Sequence, residues 1–385
     1  MMLKRFEVKN YKNFCENIVV DFSKVGGYQF STECIANQML GKILIYGRNA
    51  TGKTNLGRAF LDITSNLSGI RYLRTQTGIY MNADSAEKTS EFKYVFQFGE
   101  KEVIYHYRKY SENQIYDEEL YLNNQKIFYY NFQTKENDFN HLDLLDADKI
   151  VTDRYLQAED GNEGKEEGEL QTLSFLRWLI NNTALHNDSV LLKMDDYIKR
   201  MTMLTVGSGE IIRPRRAYDS FFEALENNDT LKDFEDFLNA MGVACELVLK
   251  QLPDGQKELY FKHENLVPFY ETASSGTIAL MNLYRRLELG KGLTFLYIDE
   301  FDAFYHYEMS ENVIKFFKAK YPECQVIMTT HNTNLMTNRL MRPDSLFILS
   351  RKGRITALCD ATQRELREGH NLEKLYISGE FEKYE

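Results

Sequence analysis

The stretch Ile43-Leu44-Ile45-Tyr46-Gly47-Arg48-Asn49-Ala50-Thr51-Gly52-Lys53-Thr54-Asn55 decides how this chain is read. Its first four residues are apolar and are bounded by Gly41-Lys42 and Gly47, which suits a strand buried on both faces of a sheet. Gly47 and Gly52 then let the backbone curl so that successive N–H groups point inward around an anion. From Thr54 to Phe60 the chain reads as the start of a helix, whose positive dipole end faces the same point. This is the spacing of a phosphate-binding P-loop. It assigns Gly47, Arg48, Asn49, Ala50, Thr51, Gly52, Lys53, Thr54 and Asn55 to nucleotide binding, with Lys53 reaching the β- and γ-phosphates. The Thr54 hydroxyl is the expected Mg²⁺ ligand, and ATP with Mg²⁺ is the expected ligand pair.

Working outward, the next stretch of the same character is Leu293-Thr294-Phe295-Leu296-Tyr297-Ile298-Asp299-Glu300, an apolar strand that ends in two carboxylates. An Asp-Glu pair says little alone. Beside a P-loop, a buried strand has to bring one carboxylate to the Mg²⁺ shell, and Asp299 is placed there, leaving Glu300 to polarise the attacking water. Gln325-Val326-Ile327-Met328-Thr329-Thr330-His331 is a third β-branched run, and its end presents His331 to the same site.

Around these runs the pattern changes. Leu3, Phe6, Val8 and Tyr11 alternate with charged residues, and Ile18 to Phe22 continues in the extended style, so two strands open the chain. Phe92, Tyr94, Phe96 and Phe98, then Val103, Tyr105 and Tyr107, alternate across turns at Gly99-Glu100-Lys101 and Asn123-Asn124, which predicts an antiparallel side lobe. Glu159 to Glu169 is glycine-rich, acidic and free of apolar side chains, and reads as a loop. Leu170 to Leu204 and Tyr218 to Met241 carry helical spacing, separated by the basic cluster Arg213-Pro214-Arg215-Arg216. That cluster reads as a solvated turn or, if functional, as a grip on nucleic acid or an acidic partner.

Composition narrows the function classes. The 385 residues are 43% hydrophobic with only 5 prolines, enough material for an ordered core, and the net charge of −10 gives no general support to nucleic-acid binding. The 5 cysteines are scattered without metal or disulfide spacing, which points to a reducing cytoplasm. No run approaches the roughly 18 apolar residues that a membrane span requires, and no secretion signal is evident.

The order P-loop, serine-glycine segment, strand-Asp-Glu, strand-Thr-His resembles the ABC ATPase superfamily, in its soluble branch with the SMC, RecF and OLD-type proteins. The segment Glu271-Thr272-Ala273-Ser274-Ser275-Gly276-Thr277 is similar to the signature of bacterial AAA-type ATPases of abortive-infection systems, including the RloB-partnered kind. Leu3 to Phe14 and Asn371 to Gly379 resemble the first and last segments of that branch. The resemblance implies an α/β fold, an ABC-type head with a mixed central sheet, an antiparallel β side lobe and a short helical insert. Its implied division is 1–147 and 263–385 for the two halves of the head, with 148–262 as acidic loop and insert. It further implies that Ser274, Ser275, Gly276 and Thr277 contact the γ-phosphate held by a second copy, that Asp302 lies in a loop communicating between the two sites, and that His331 acts near the γ-phosphate. A homodimer or higher oligomer and a separately encoded nuclease or toxin effector follow as expected partners. The glutamine that the family places after the first lobe has no counterpart, since Gln97 falls inside an alternating strand.

The chain is therefore expected to be an ATPase regulating an effector in antiphage defence, with a RecF-like DNA clamp as the alternative. A P-loop kinase or GTPase is disfavoured, because the base-specificity motif Asn-Lys-x-Asp is missing.

Overall fold

A computed structural model describes residues 1–68, 79–145, 150–160, 172–206, 221–289 and 292–385. Among them, six strands form a central sheet in the order Met201–Thr205, Phe295–Asp299, Gln325–Thr330, Lys42–Tyr46, Leu346–Leu349, Ile355–Ala357. The first five run parallel and Ile355–Ala357 returns antiparallel. The apolar runs quoted above are thus neighbours.

Alternation along these strands splits the interior in two. Ile43, Ile45, Phe295, Tyr297 and Ile327 face one hydrophobic cluster, while Leu44, Tyr46, Leu296, Ile298 and Met328 face another. Because successive side chains point to opposite faces, a strand between two cores has no position left for a polar residue, which is why these runs are continuously apolar.

A second sheet of seven antiparallel strands has the order Asn137–Asp138, Gln125–Asn131, Gln114–Leu122, Lys101–Ser111, Ser90–Phe98, Met2–Lys9, Ile18–Asp21. The opening strands and the side lobe, which look separate in the sequence, are one surface. Asn123 and Asn124 both have left-handed backbones, φ 49° and 64°, the conformation of a two-residue hairpin turn matched to strand twist. On its outer face, His106 lies between Glu91 and Glu119 on the two flanking strands, 2.9 Å from each. Both ring nitrogens thus face carboxylates.

The helix Lys53–Ser68 packs between the two sheets. Its Asp62 accepts bonds from Tyr107 (2.8 Å), Tyr80 (3.0 Å) and the ammonium of Lys109 (3.1 Å), a lysine with 0% exposure whose third contact is Asn66 Oδ1 at 3.0 Å. A buried charge of this kind is tolerated only because it is paired and hydrogen-bonded.

The middle of the chain differs from its sequence reading. Helices Phe175–Asn182, Val190–Lys199 and Asn228–Ala240 lie where helical spacing places them, each capped by the side chain before it: Ser174, Ser189 and Asn227. The spacing extended to Leu204, however, whereas Met201–Thr205 is the edge strand of the central sheet, paired in register with Phe295–Asp299. The helix ends at Arg200, and parallel pairing overrides a five-residue pattern too short to declare a period. The central sheet therefore draws strands from all three segments of the division made above. A three-stranded sheet, Leu247–Gln251, Lys257–Phe261 and Val267–Pro268, also lies within or beside this region. Residues 161–169 of the acidic stretch and the cluster Arg213 to Arg216 lie outside the described residues. No helix among the described residues is long and apolar enough to cross a membrane.

Candidate functional site

The buried strand Lys42–Tyr46 delivers the chain to Gly47, and the loop that follows turns back on itself, the Thr51 hydroxyl donating to the Arg48 carbonyl at 3.0 Å. Two left-handed residues make the curl, Ala50 at φ 63° and Gly52 at φ 102°. Glycine is required at 52 for a second reason: a Cβ there would lie 2.1 Å from the Asn13 amide nitrogen. Asn13 donates to the Thr51 carbonyl at 3.0 Å and accepts from Asn55 at 2.7 Å, so a side chain beyond the first strand clasps the loop from outside. Lys53 opens the helix, and its ammonium donates to the carbonyls of Gly47 (2.7 Å) and Arg48 (3.0 Å). Burial lowers its pKa, opposed by the charges of Asp299, Glu300 and Asp302. Tyr297 fixes the helix start, donating to the Lys53 carbonyl at 2.5 Å while its ring occupies the space where Gly57 would carry a Cβ.

Asp299 ends the strand Phe295–Asp299, which Gln325–Thr330 separates from Lys42–Tyr46, and has 1% exposure. The Thr54 hydroxyl donates to one of its oxygens at 2.5 Å and the Thr329 hydroxyl to the other at 2.8 Å. Burial raises its pKa, against those two bonds. Glu300 follows at φ 50°, a left-handed turn that breaks the alternation of the strand, so that two consecutive carboxylates serve one site instead of opposite faces. Its N–H donates to the same Thr329 hydroxyl at 2.8 Å, and its Oε1 lies 3.8 Å from His331 Nε2.

His331 Nδ1 is 3.3 Å from the Lys53 ammonium. An ammonium only donates, so Nδ1 accepts and the proton sits on Nε2. That Nε2 is buried and has no hydrogen-bond partner among the described residues. A phosphate oxygen or an attacking water between His331 and Glu300 would satisfy it. Thr330 donates to Asp302 at 2.7 Å and accepts from the N–H of Asn332 at 2.9 Å, joining the end of this strand to the loop after Glu300. Burial likewise raises the Asp302 carboxyl.

Thr54 Oγ1 and Asp299 Oδ2 offer adjacent hard oxygens, and among the described residues no group of three His, Cys, Asp or Glu side chains could hold a metal alone. That donor set fits Mg²⁺, which takes one or two protein oxygens together with phosphate and water. When bound, Mg²⁺ supplies charge neutralisation across the phosphates.

Ser274 to Thr277 stand apart from this cluster. Ser274 caps the helix Ser275–Leu289, accepting from the Thr277 N–H at 3.1 Å, and Ser274 and Ser275 are exposed. A Cβ at Gly276 would lie 2.9 Å from the Phe304 carbonyl, so this helix start is pressed against the loop that carries Asp302. Among the described residues no hydrogen bond joins Ser274 to Thr277 with the P-loop of the same chain.

The structure thus gathers Gly47 to Asn55, Asp299, Glu300, Asp302 and His331, and leaves Ser274 and Ser275 exposed at a helix start apart from them, with Gly276 and Thr277 buried behind. Gln97 bonds the carbonyl of its own turn, Gly99, at 2.7 Å and has no place in the cluster. Sequence reasoning passed over Asn13, Tyr297 and Thr329. Only Thr329 left a signal, as the first of two hydroxyls that follow three apolar residues in the buried strand Gln325–Thr330.

Three solved structures are similar in part: an SMC head bound to the C-winged helix domain of ScpA (18% identity, TM-score 0.47, 90% of this chain and 94% of that one); the SMC head domain from Thermotoga maritima (16%, 0.45, 90% and 94%); and an Smc head with coiled coil and joint from Pyrococcus yayanosii (15%, 0.47, 93% and 98%). No curated protein sequence matches the chain. A family profile described as "AAA domain, putative AbiEii toxin, Type IV TA system" matches residues 43–337, from the strand that feeds the P-loop to just past His331. That span contains every residue of the cluster except Asn13, and by it the chain belongs to this AAA family of P-loop ATPase domains.

Proposed function

We propose that the chain hydrolyses ATP at sites shared between two copies and that this ATP-driven pairing controls a separately encoded toxin or nuclease effector in antiphage defence. The observation that carries the reading is the cluster gathered at the P-loop together with a helix start whose Ser274 and Ser275 are exposed and which, among the described residues, shares no hydrogen bond with that cluster. Lys53 would move from the Gly47 and Arg48 carbonyls to the β- and γ-phosphates. Thr54 and Asp299 would hold Mg²⁺, Glu300 would accept the proton of the attacking water, and His331 would donate from Nε2 to the γ-phosphate. Ser275 and Gly276, at a helix N-terminus, would complete the site of the other copy, since backbone N–H groups there suit a phosphate. The description of the family, which names a toxin of a type IV toxin–antitoxin system, supports the defence role.

The test is Glu300→Gln, assayed for turnover and for mass in solution with ATP. The expected result is retained binding, turnover reduced by at least about 100-fold, and an ATP-dependent dimer. Wild-type turnover in this variant sinks the assignment, and a monomer under all conditions sinks the shared site. Salt-dependent DNA binding by the isolated chain would favour a DNA clamp instead.

A further inference from the structure

Arg48 occupies the second position of the P-loop, with its carbonyl turned in toward Lys53 and its side chain 56% exposed. The guanidinium donates to the carboxylate of Glu385 at 2.5 Å, 337 residues away in the sequence. That carboxylate is held in place. Its side chain is only 15% exposed, and it also bonds the phenol of Tyr376, whose pKa rises through burial first and then through hydrogen bonds to Glu385 and Tyr46. Tyr376 in turn packs edge-on against Tyr46, ring centroids 4.7 Å apart, and Phe381 beside it has 0% exposure. The segment 372–385 is therefore docked on the residue that precedes Gly47, and it presents a fixed negative charge to a loop built to receive negative charge.

We propose that Arg48 has two partners, Glu385 and the polyphosphate of the nucleotide, and that Glu385 acts through Arg48 to set the preference for triphosphate over diphosphate. This rests on the ATP-binding reading given above. Glu385 competes for the guanidinium: Arg48 must leave it to reach the polyphosphate and gains more from the higher charge of the triphosphate, so holding Arg48 back weakens ATP more than ADP. The polyphosphate is either that of the same chain or that of a second copy brought against the loop. Glu385 is a positioning residue, since it touches Arg48 and not the nucleotide. Its arrangement also links the docking of 372–385 to the nucleotide carried: the triphosphate that draws Arg48 away removes one of the bonds holding the segment.

The experiment is titration of the full chain with fluorescent ATP and ADP analogues in Mg²⁺ buffer, for wild type, Glu385→Gln, Arg48→Gln, Arg48→Lys and the double variant Arg48→Gln/Glu385→Gln. Glu385→Gln is expected to tighten ATP by about 5-fold while moving ADP less than about 2-fold. Arg48→Gln is expected to weaken ATP selectively, and Arg48→Lys to recover part of the loss, because it keeps the charge without the fork. In the double variant the effect of Glu385→Gln should vanish. Selective loss in dilute monomer marks the chain's own nucleotide; loss confined to ATP-dependent dimerisation marks that of the second copy. Equal shifts for ATP and ADP, an unchanged Glu385→Gln, or a Glu385→Gln effect that survives without Arg48 overturns the proposal. If wild type binds ATP and these variants match it, only this inference fails; if wild type binds none, the functional reading fails with it.

Discussion

The ammonium of Lys53 and Nδ1 of His331 stand 3.3 Å apart, although 278 residues separate them. The contact exists because their strands, Lys42–Tyr46 and Gln325–Thr330, are parallel neighbours that end level, Thr330 opposite Tyr46. One residue beyond each end, the chain is free to serve the site. The contact also sets the imidazole tautomer, leaving the Nε2 proton aimed at the ground between His331 and Glu300.

Lys53 and His331 should therefore separate binding from turnover. Lys53→Met is expected to abolish ATP binding, because it removes the charge that reaches the phosphates. His331→Ala should keep ATP affinity within a few-fold and lower turnover by about 100-fold, the usual loss for one donor at a developing charge. Equilibrium binding beside a phosphate-release assay checks the split; a His331→Ala that no longer binds ATP would contradict it.

Thr329 uses one hydroxyl to hold two acidic residues, donating to the carboxylate of Asp299 and accepting from the backbone N–H of Glu300. Thr329→Val keeps the shape and removes both bonds. Turnover should fall by about 10- to 100-fold with a higher Mg²⁺ requirement, as for other residues that orient metal ligands, and Thr329→Ser should recover most of it. Steady-state kinetics against Mg²⁺ concentration reads this out.

Gly57 lies inside a helix, where alanine normally stabilises by about 1 kcal/mol. Here the sign reverses. The added Cβ would meet the Tyr297 ring at 2.5 Å, so Gly57→Ala should destabilise by about 1–3 kcal/mol and impair ATP binding by pushing the helix off its strand. Urea denaturation measures the first effect, and Tyr297→Leu in the same chain should relieve it.

The outer sheet carries a pH dependence of its own. Burial alone would lower the pKa of His106, but its bonds to Glu119 and Glu91 outweigh that and raise it to about 9, above an unfolded value near 6.5. A raised histidine stabilises the fold fully below the unfolded value and loses that contribution as pH climbs through the folded one. Comparing wild type with His106→Gln by denaturation at pH 6, 7.5 and 9 should show a difference of about 1–2 kcal/mol at pH 6, allowing for the partial exposure of Glu91, that shrinks toward pH 9. A difference that grows with pH would show the imidazole to be neutral in the fold.

The parts of this architecture that rest on short-range rules were legible in the sequence. The strand before Gly47, the strand ending at Asp299 and the Asn123-Asn124 hairpin each follow from burial, periodicity or turn chemistry within a dozen residues. Met201–Thr205 was not legible, because its status as a strand comes from pairing with Phe295–Asp299, which lies far along the sequence. Asn13, Tyr297 and Lys109 share the reason: an asparagine in a turn and a tyrosine and a lysine in strands look like hundreds of others until the fold sets them against Gly52, Gly57 and Asp62. The serine-glycine segment was identified by resemblance, since a capped helix start carries no mark of what it faces.

The ion pair of Lys109 and Asp62 gives the helix Lys53–Ser68 a second anchorage. One end of this rod is seated among the phosphate ligands, and nine residues on, about 14 Å along its axis, it is bolted to the antiparallel sheet through a lysine that no water reaches. A paired charge in a dry interior has to keep its partner within hydrogen-bond reach, so the pair sets the register of the helix against the strand Lys101–Ser111. One helix thus belongs to both sheets, its first residue to the P-loop and its tenth to the antiparallel lobe.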